Sequence, residues 1–274
     1  MNIALIILAA GKGTRMQSEL PKVLHEVAGA PMLVHAMRAG RTLNPKRTII
    51  IAGHGFEAVS AAARTEDPEV EVVLQEEQLG TGHAVDQARA ALGDFDGTII
   101  VLYGDCPLIQ SRTLEDLSAT LSDSAVSVLG FEAKDPAQYG RLITDGDKLK
   151  RIVEFKDAST AERAVTLCNS GVMAASAELL FELLSEIDTD NASGELYLTD
   201  IISKAVARGL PCTTVRCAEC ETLGVNSRVE LMRAEKEFQN LRRAEALEDG
   251  ITMLATETVY FSYDTVIGRD TIIE

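Results

Sequence analysis

Leu8-Ala-Ala-Gly-Lys-Gly-Thr-Arg-Met16 carries the chain out of its first apolar run and into a glycine-rich loop. The run before it, residues 3–8, is short and rich in branched aliphatics, the pattern of a buried strand. Ala9, Ala10, Gly11 and Gly13 let another molecule approach the backbone closely. Lys12, Arg15 and Lys22 add positive charge, and Glu19 is the only acid before residue 26. Two familiar phosphate loops are excluded. The dinucleotide fingerprint needs a third glycine where Met16 stands, and a Walker loop needs Gly-Lys followed by Ser or Thr. A loop after the first strand of an α/β sheet opens at the carboxyl edge of the strands, where ligands bind. A plain structural turn is the competing reading of the loop taken alone.

Working outward, residues 48–52, 70–74 and 98–102 are further buried-strand runs. Pro31 opens a helix that Gly40 closes, and residues 56–64, 81–92 and 111–121 are the next helices. Strand alternating with helix over the first ~130 residues predicts βαβ units and a parallel sheet covered on both faces. Residues 125–132 form another strand. Residues 140–144 and 149–155 flank the turn Asp145-Gly146-Asp147 and predict a hairpin. A strand over 167–174, a helix over 177–184 and a helix capped by Thr199 complete a second half expected to lie on the first sheet. A long helix starts at Asn226, with Ser227 and Glu230 as a capping box, Leu231, Met232, Phe238, Leu241 and Leu247 as its apolar stripe, and Gly250 as its stop. Val266-Ile267-Gly268 and Thr271-Ile272-Ile273 resemble the opening of a hexapeptide-repeat β-helix that breaks off early. The expected organisation is a domain over 1–225, a linker helix over 226–250 and a truncated repeat segment over 251–274.

A chain of 274 residues can bury a substantial core, and 46% hydrophobic with 25% charged residues argues against disorder. Lys and Arg total 26 against 42 Asp and Glu, a net charge of −16. A surface so negative repels nucleic acid and anionic lipid, so neither is an expected partner, and an anionic ligand must find the local basic patch of the first loop. No run of ~20 apolar residues is present to span a membrane. The amino-terminal run lacks a basic leader and reads as a core strand. Five cysteines, an odd number, point to a reducing cytoplasm. Cys217-Ala-Glu-Cys220 has zinc-like spacing but no second ligand pair beside it, so these are read as ordinary thiols. His25, His35, His54 and His83 form no pattern of nucleophilic catalysis.

The first loop is followed in order by Leu20-Pro-Lys-Val-Leu-His25, Gln75-Glu-Glu-Gln-Leu-Gly-Thr-Gly-His83, Leu102-Tyr-Gly-Asp105, Tyr139-Gly-Arg-Leu142, Ile152-Val-Glu-Phe-Lys-Asp157, Asn169-Ser-Gly171, Gly194-Glu-Leu-Tyr-Leu-Thr-Asp200 and Gly224-Val-Asn-Ser-Arg228. The first motif resembles the signature of sugar-1-phosphate nucleotidylyltransferases. The ordered set narrows the resemblance to the uridyltransferase (pyrophosphorylase) domain of the bifunctional N-acetylglucosamine-1-phosphate uridyltransferase/glucosamine-1-phosphate acetyltransferases, and it spans nearly the whole chain.

That resemblance implies an α/β fold: a Rossmann-like nucleotidyltransferase domain with a mixed, mostly parallel sheet, then a long helix and the start of a left-handed β-helix. It implies a cytoplasmic enzyme joining UTP and N-acetylglucosamine 1-phosphate into UDP-N-acetylglucosamine and pyrophosphate, with Mg²⁺, in the supply of peptidoglycan and lipopolysaccharide precursors. Gln75, Gly80 and Thr81, with the backbone of Leu8, Ala9, Ala10 and Gly11, fall at the base; an amide both donates and accepts, as the uracil edge does. Tyr103 and Gly104 lead into Asp105, which with Asn226 would hold the metal through hard oxygens. Arg15 is assigned to the leaving pyrophosphate and Lys22 to the phosphates at the reacting centre. Gly140, Glu154, Asn169, Tyr197 and Thr199 fall at the sugar, with Ser170 where the family pattern has threonine.

Plain readings stand beside these. Asp105 is a turn residue after glycine, Asn226 a helix cap, Thr81 a helix entry and Glu154 a solvent-facing carboxylate. A phosphate monoester with a second pKa of about 6 is already a nucleophile, so positioning and charge neutralisation carry the reaction without a protein base. The competing functions are transfer of another nucleotide or sugar phosphate, and a non-catalytic nucleotide-sugar-binding module. A trimer is expected only if the β-helix is completed.

Overall fold

In this computed structural model, which describes residues 2–274, β1 (Ile3–Ala9) is buried at every position. A short antiparallel ribbon follows, β2 (Glu26–Val27) with β3 (Ala30–Pro31), and then α1 (Met32–Arg41). The alternating part continues through β4 (Arg47–Ala52), α2 (Phe56–Glu66), β5 (Glu71–Leu74), α3 (Thr81–Asp86), α4 (Ala88–Leu92), β6 (Thr98–Tyr103) and α5 (Ser111–Ala119). The rest comprises β7 (Val126–Glu132), β8 (Arg141–Asp145), β9 (Lys148–Val153), α6 (Thr160–Arg163), β10 (Leu167–Ser176), α7 (Ala177–Leu184), α8 (Asp200–Ala207), β11 (Cys212–Cys217), α9 (Arg228–Glu248), β12 (Thr252–Met253) and β13 (Ile272–Ile273).

The main sheet has nine strands in the order β5-β4-β1-β6-β10-β7-β11-β9-β8. β5, β4, β1 and β6 run parallel, as the alternation predicts. Beyond β6 the pairing changes: β10 is antiparallel to both β6 and β7, β8 and β9 form the expected hairpin, and among these later strands β7 with β11 alone is parallel. The sheet is therefore mixed, with parallel pairing confined largely to its first half. The second half extends that sheet edge to edge instead of lying on it.

The two-residue period of β1 splits the core. Ala4, Ile6 and Leu8 belong to the cluster with residues of α3, α4, α7 and α8, while Ile3, Leu5 and Ile7 belong to the cluster with α1, α2 and α5. Each of the buried Ile and Leu side chains contributes about 1.5–3 kcal/mol of hydrophobic stabilisation. Gly40 lies inside α1 and does not close it. A Cβ there would stand 2.4 Å from the Leu5 side chain, so glycine lets α1 settle directly onto β1. The helix expected over 81–92 divides at Gln87.

α9 keeps only part of the expected stripe. Met232 and Leu247 are exposed, whereas Ala234, Gln239 and Arg243 are buried. Gln239 exchanges two 2.8 Å hydrogen bonds with the backbone of Phe261, and the Arg243 guanidinium donates to Val259 O. Leu231 and Phe238 of the expected stripe do pack, half-buried, against the core cluster of Val27 and Met32, while toward the terminal segment the helix adds polar contacts. Beyond it β12 pairs in parallel with β13, twenty residues on, with Thr252 opposite Ile272. Among the described residues no helix is long and apolar enough to cross a membrane.

Candidate active site

The parallel strands deliver their carboxyl ends to one edge, and a cleft of about 320 Å³ opens there. Ten of the residues expected to bind line it: Leu8, Ala9, Ala10, Gly11, Lys22, Gln75, Gly80, Thr81, Tyr103 and Asp105. The glycine-rich loop reaches this mouth by a left-handed turn at Gly13, φ 61°. A Cβ at Gly13 would sit 2.6 Å from Lys22 Cβ, so only glycine allows the loop to cross the stem of Lys22. Arg15 lies exposed on the single helical turn that follows. It is outside the cleft lining, and among the described residues no side-chain hydrogen bond or ion pair holds it.

Lys22, Asp105 and Asn226 meet at the mouth. Lys22 Nζ donates to Asp105 Oδ2 at 2.5 Å and to Asn226 Oδ1 at 2.9 Å. The fold brings them together in two steps. Gly104 N–H donates to Leu8 O, carrying the β1–β6 ladder one residue past the strand so that Asp105 emerges beside the loop. Val225 N–H then donates to Asp105 O at 3.0 Å, seating the segment before α9 against it. Asn226 does not cap α9. Ser227 accepts from Glu230 N–H, and the Glu230 carboxylate reaches back to Asn226 N–H at 2.8 Å. The expected capping box is therefore shifted by one residue on its return arm, which leaves the Asn226 side-chain oxygen for Lys22.

The donor set accommodates a divalent cation. One carboxylate oxygen and one amide oxygen already converge on a single positive charge, and both are hard oxygens of the kind Mg²⁺ takes. Among the described residues no group of three or more His, Cys, Asp and Glu could hold a metal by itself. A metal bound here completes its shell from phosphate and water.

A second group gathers Gly140, Glu154, Asn169 and Thr199. Asn169 N–H donates to Gly140 O at 2.8 Å, and Asn169 Oδ1 accepts from Gly171 N–H at 3.0 Å. Thr199 Oγ1 donates to Glu154 Oε1 at 3.1 Å. Thr199 was expected to cap α8, but its side chain makes no capping bond. Burial pushes the Glu154 carboxyl above its ordinary range, and the Thr199 hydrogen bond only partly offsets this. Tyr197 is half-buried, and burial raises its phenol, with Glu154 near enough to add to the effect. Ser170 donates its hydroxyl to Leu129 O, 2.7 Å distant, and accepts from Val172 N–H, so this side chain holds backbone.

Two contacts join this group to the cleft. Tyr103 lines the cleft and lies against Gly171, where an added Cβ would meet its ring at 2.6 Å. Thr81 Oγ1 accepts from Leu198 N–H at 3.0 Å, tying the start of α3 to the segment that carries Tyr197 and Thr199. Four lining residues escaped the sequence reading: Val23, Gln78, Ala84 and Glu195. Gln78 has a definite task, since its Nε2 donates to Ala10 O at 2.6 Å and fixes the loop's backbone. The only prior signal was its place beside Gln75 in an amide-rich loop.

The chain is similar in sequence to proteins named Bifunctional protein GlmU. It is 60% identical over 270 residues to that of Ruegeria sp. (strain TM1040), covering 98% of this chain and 60% of the relative. It is 58% identical over 274 residues to that of Roseobacter denitrificans (strain ATCC 33942 / OCh 114), covering 100% and 61%. The chain thus spans about 60% of the length of these relatives. In fold it is similar to a UDP-glucose pyrophosphorylase crystallised with UDP-glucose, with a TM-score of 0.71 at 18% identity over 88% of this chain and 100% of that one. It is similar also to a putative glucose-1-phosphate thymidylyltransferase from Bacillus anthracis, with a TM-score of 0.68 at 22% identity over 86% and 94%. Residues 5–188 match the description of the MobA-like NTP transferase domain, and the chain belongs to that family.

Proposed function

We propose that this chain transfers a uridylyl group from UTP to N-acetylglucosamine 1-phosphate, releasing pyrophosphate and forming UDP-N-acetylglucosamine. The observation that carries the reading is the Lys22 ammonium held between Asp105 and Asn226 at the mouth of a cleft floored by the glycine-rich loop. The relatives named GlmU support the choice of nucleotide and sugar.

The obstacle to the reaction is electrostatic, because a phosphate dianion must approach the α-phosphorus of a triphosphate. In a chain of net charge −16, the first loop gathers the needed cations. Lys22 neutralises the phosphates near the reacting centre, and Arg15, exposed on the turn after the loop, holds the departing pyrophosphate. Gln75, Gly80 and Thr81 hold the base with the backbone of Leu8 to Gly11; Tyr103 and Gly104 support the nucleotide from β6. Gly140, Glu154, Asn169, Tyr197 and Thr199 hold the sugar: glycine allows close approach, while carboxylate and amide take hydroxyls and the N-acetyl group. Asp105 and Asn226 would hold Mg²⁺, which would supply neutralisation of phosphate charge. The protein's part is positioning and preorganised charge.

Residues 1–225 form the transferase unit, 226–250 the linker helix and 251–274 the first coil of a left-handed β-helix. The parallel pairing of β12 with β13 and the exposed Leu254, Val266 and Ile272 support that last reading, since repeat coils stack on their neighbours. A trimer belongs to a chain in which that helix is complete. Pyrophosphate release with UTP, Mg²⁺ and N-acetylglucosamine 1-phosphate tests the function. Turnover with this pair above other nucleotides and sugar phosphates, lost on order 10²–10³-fold in Asp105→Asn, is expected. Tight UDP-sugar binding without turnover would instead establish a binding module.

A further inference from the structure

Gln75 is only 4% exposed, and the amide it sends to the cleft edge is held from behind. Its Nε2 lies 3.0 Å from His83 Nδ1 and 3.4 Å from Gly80 O. The other ring nitrogen, His83 Nε2, lies 3.1 Å from the amide of Gln87, one helical turn further on at the break between α3 and α4. A neutral imidazole carries one N–H and offers one accepting nitrogen, so both amides cannot donate to it.

Burial decides between them. Gly80 O can only accept, and an amide oxygen of buried Gln75 turned toward it would leave two oxygens facing each other without water. Gln75 therefore gives both amide protons inward, to Gly80 O and His83 Nδ1. His83 then carries its proton on Nε2 and donates to Gln87. Gln87 Nε2 has a like contact, 3.4 Å from His83 O, but Gln87 is half-buried, so it can give up that contact to water, turn its amide oxygen to the ring and satisfy its NH₂ group in solvent, an exchange of O and N that leaves its shape unchanged. The consequence reaches the cleft: Gln75 presents its oxygen, not its nitrogen, to a ligand.

We propose that His83 and Gln87 are specificity-determining positioning residues, which lock the Gln75 amide oxygen-outward so that it accepts a hydrogen bond from a nucleobase ring N–H. A uracil ring offers that donor at N3. A cytosine ring offers a bare acceptor at N3 and meets the same oxygen lone pair to lone pair. This inference rests on the reading of the cleft as a uridine-nucleotide site and adds how that site rejects the nearest alternative base. His83 touches no substrate, and it works through the tautomer it imposes.

The test is the ratio of kcat/KM for UTP over CTP, with the same sugar phosphate and Mg²⁺ at pH 8. His83→Leu removes the accepting nitrogen. Gln87→Lys places a donor at Nε2, which drives the ring proton to Nδ1 and turns the Gln75 amide over. Gln87→Glu keeps an acceptor at Nε2. Both of the first two variants should lower the ratio about ten- to a hundredfold, the worth of one misdirected buried hydrogen bond. Gln87→Glu should hold it within about threefold of wild type. A merely structural role would slow both nucleotides equally. An unchanged ratio in His83→Leu and Gln87→Lys, in a wild type that prefers UTP, overturns the lock and leaves the uridylyl reading standing. A wild type that turns over neither nucleotide, or prefers CTP, overturns both. Should His83→Leu fail to fold, Gln87→Lys at the half-exposed helix break carries the same comparison.

Discussion

Replacing Lys22 with Met keeps most of the side chain's volume and removes its charge. At the observed 2.5 Å, a unit pair attracts by about 7 kcal/mol at an effective dielectric near 20. Much of that offsets the cost of stripping water from ammonium and carboxylate, whose side chains are only 12% and 15% exposed. The loss on breaking the pair should lie between the value for an open surface pair and that for a fully buried one, about 2–3 kcal/mol. Asp105 would keep one weak neighbour, the Cys106 thiol at 3.7 Å. Turnover should fall on the order of 10²–10³-fold, because a preorganised cation at the reacting phosphates is gone.

A second consequence separates this account from general damage. The ammonium occupies the point where two metal-type oxygens converge, so in the free enzyme it competes with any divalent cation for them. Lys22→Met should therefore gain more thermal stability from Mg²⁺ alone, without nucleotide, than the wild type does. Pyrophosphate release and thermal unfolding with and without Mg²⁺ measure both effects. A variant that retains turnover within about threefold of wild type, or a Mg²⁺ response no larger than wild type's, would refute the reasoning.

Glu154→Gln tests the buried carboxylate. Because burial raises the folded-state pKa, the unfolded chain ionises first, and stability falls as pH climbs from the ordinary carboxylate value through the raised one. The amide should flatten that slope in urea melts run upward from the ordinary carboxylate range, while raising KM for the sugar phosphate. Gly171→Ala should cost about 1–3 kcal/mol in chemical denaturation, since φ is 89° there and the Cβ meets the Tyr103 ring. Arg141→Met should cost about 3–5 kcal/mol by the same measurement, because a guanidinium 1% exposed binds the carbonyls of Ala137, Tyr139 and Arg163, which would be left bare. A loss below about 1 kcal/mol would mean that water replaces the guanidinium there.

The strands of the first half were legible because a parallel strand buried on both faces reads as a continuous apolar run; β1, β4 and β6 begin and end within a residue of expectation. Beyond residue 132 strand direction was legible only in the β8–β9 hairpin, which its turn announces. β10 is nearly as buried as β6, and nothing in its periodicity says that it runs backwards between β6 and β7. The α9 stripe held only in part, at Leu231 and Phe238, for a related reason. Helical spacing locates a face, but it does not say whether that face meets apolar side chains or, as at Gln239 and Arg243, the bare backbone of a following segment.

At the site, motifs identified residue types and left the geometry open. The contacts from Lys22 to Asp105 and to Asn226 span 83 and 204 positions, a juxtaposition that no local pattern encodes. Local chemistry did pose the right question at Asn226, where an asparagine before a helix serves equally as cap or ligand. The answer depended on its neighbour. Ser227 supplies the capping oxygen and Glu230 holds the Asn226 backbone N–H, so the amide oxygen is released from the helix and turned to the cleft. Ser227→Ala would take that relief away. Asn226 would then be drawn toward the orphaned N–H groups of α9, and the variant should lose metal-dependent turnover well beyond the roughly 1 kcal/mol of stability that a lost cap costs. If turnover fell only in proportion to stability, the division of labour between Ser227 and Asn226 would be wrong.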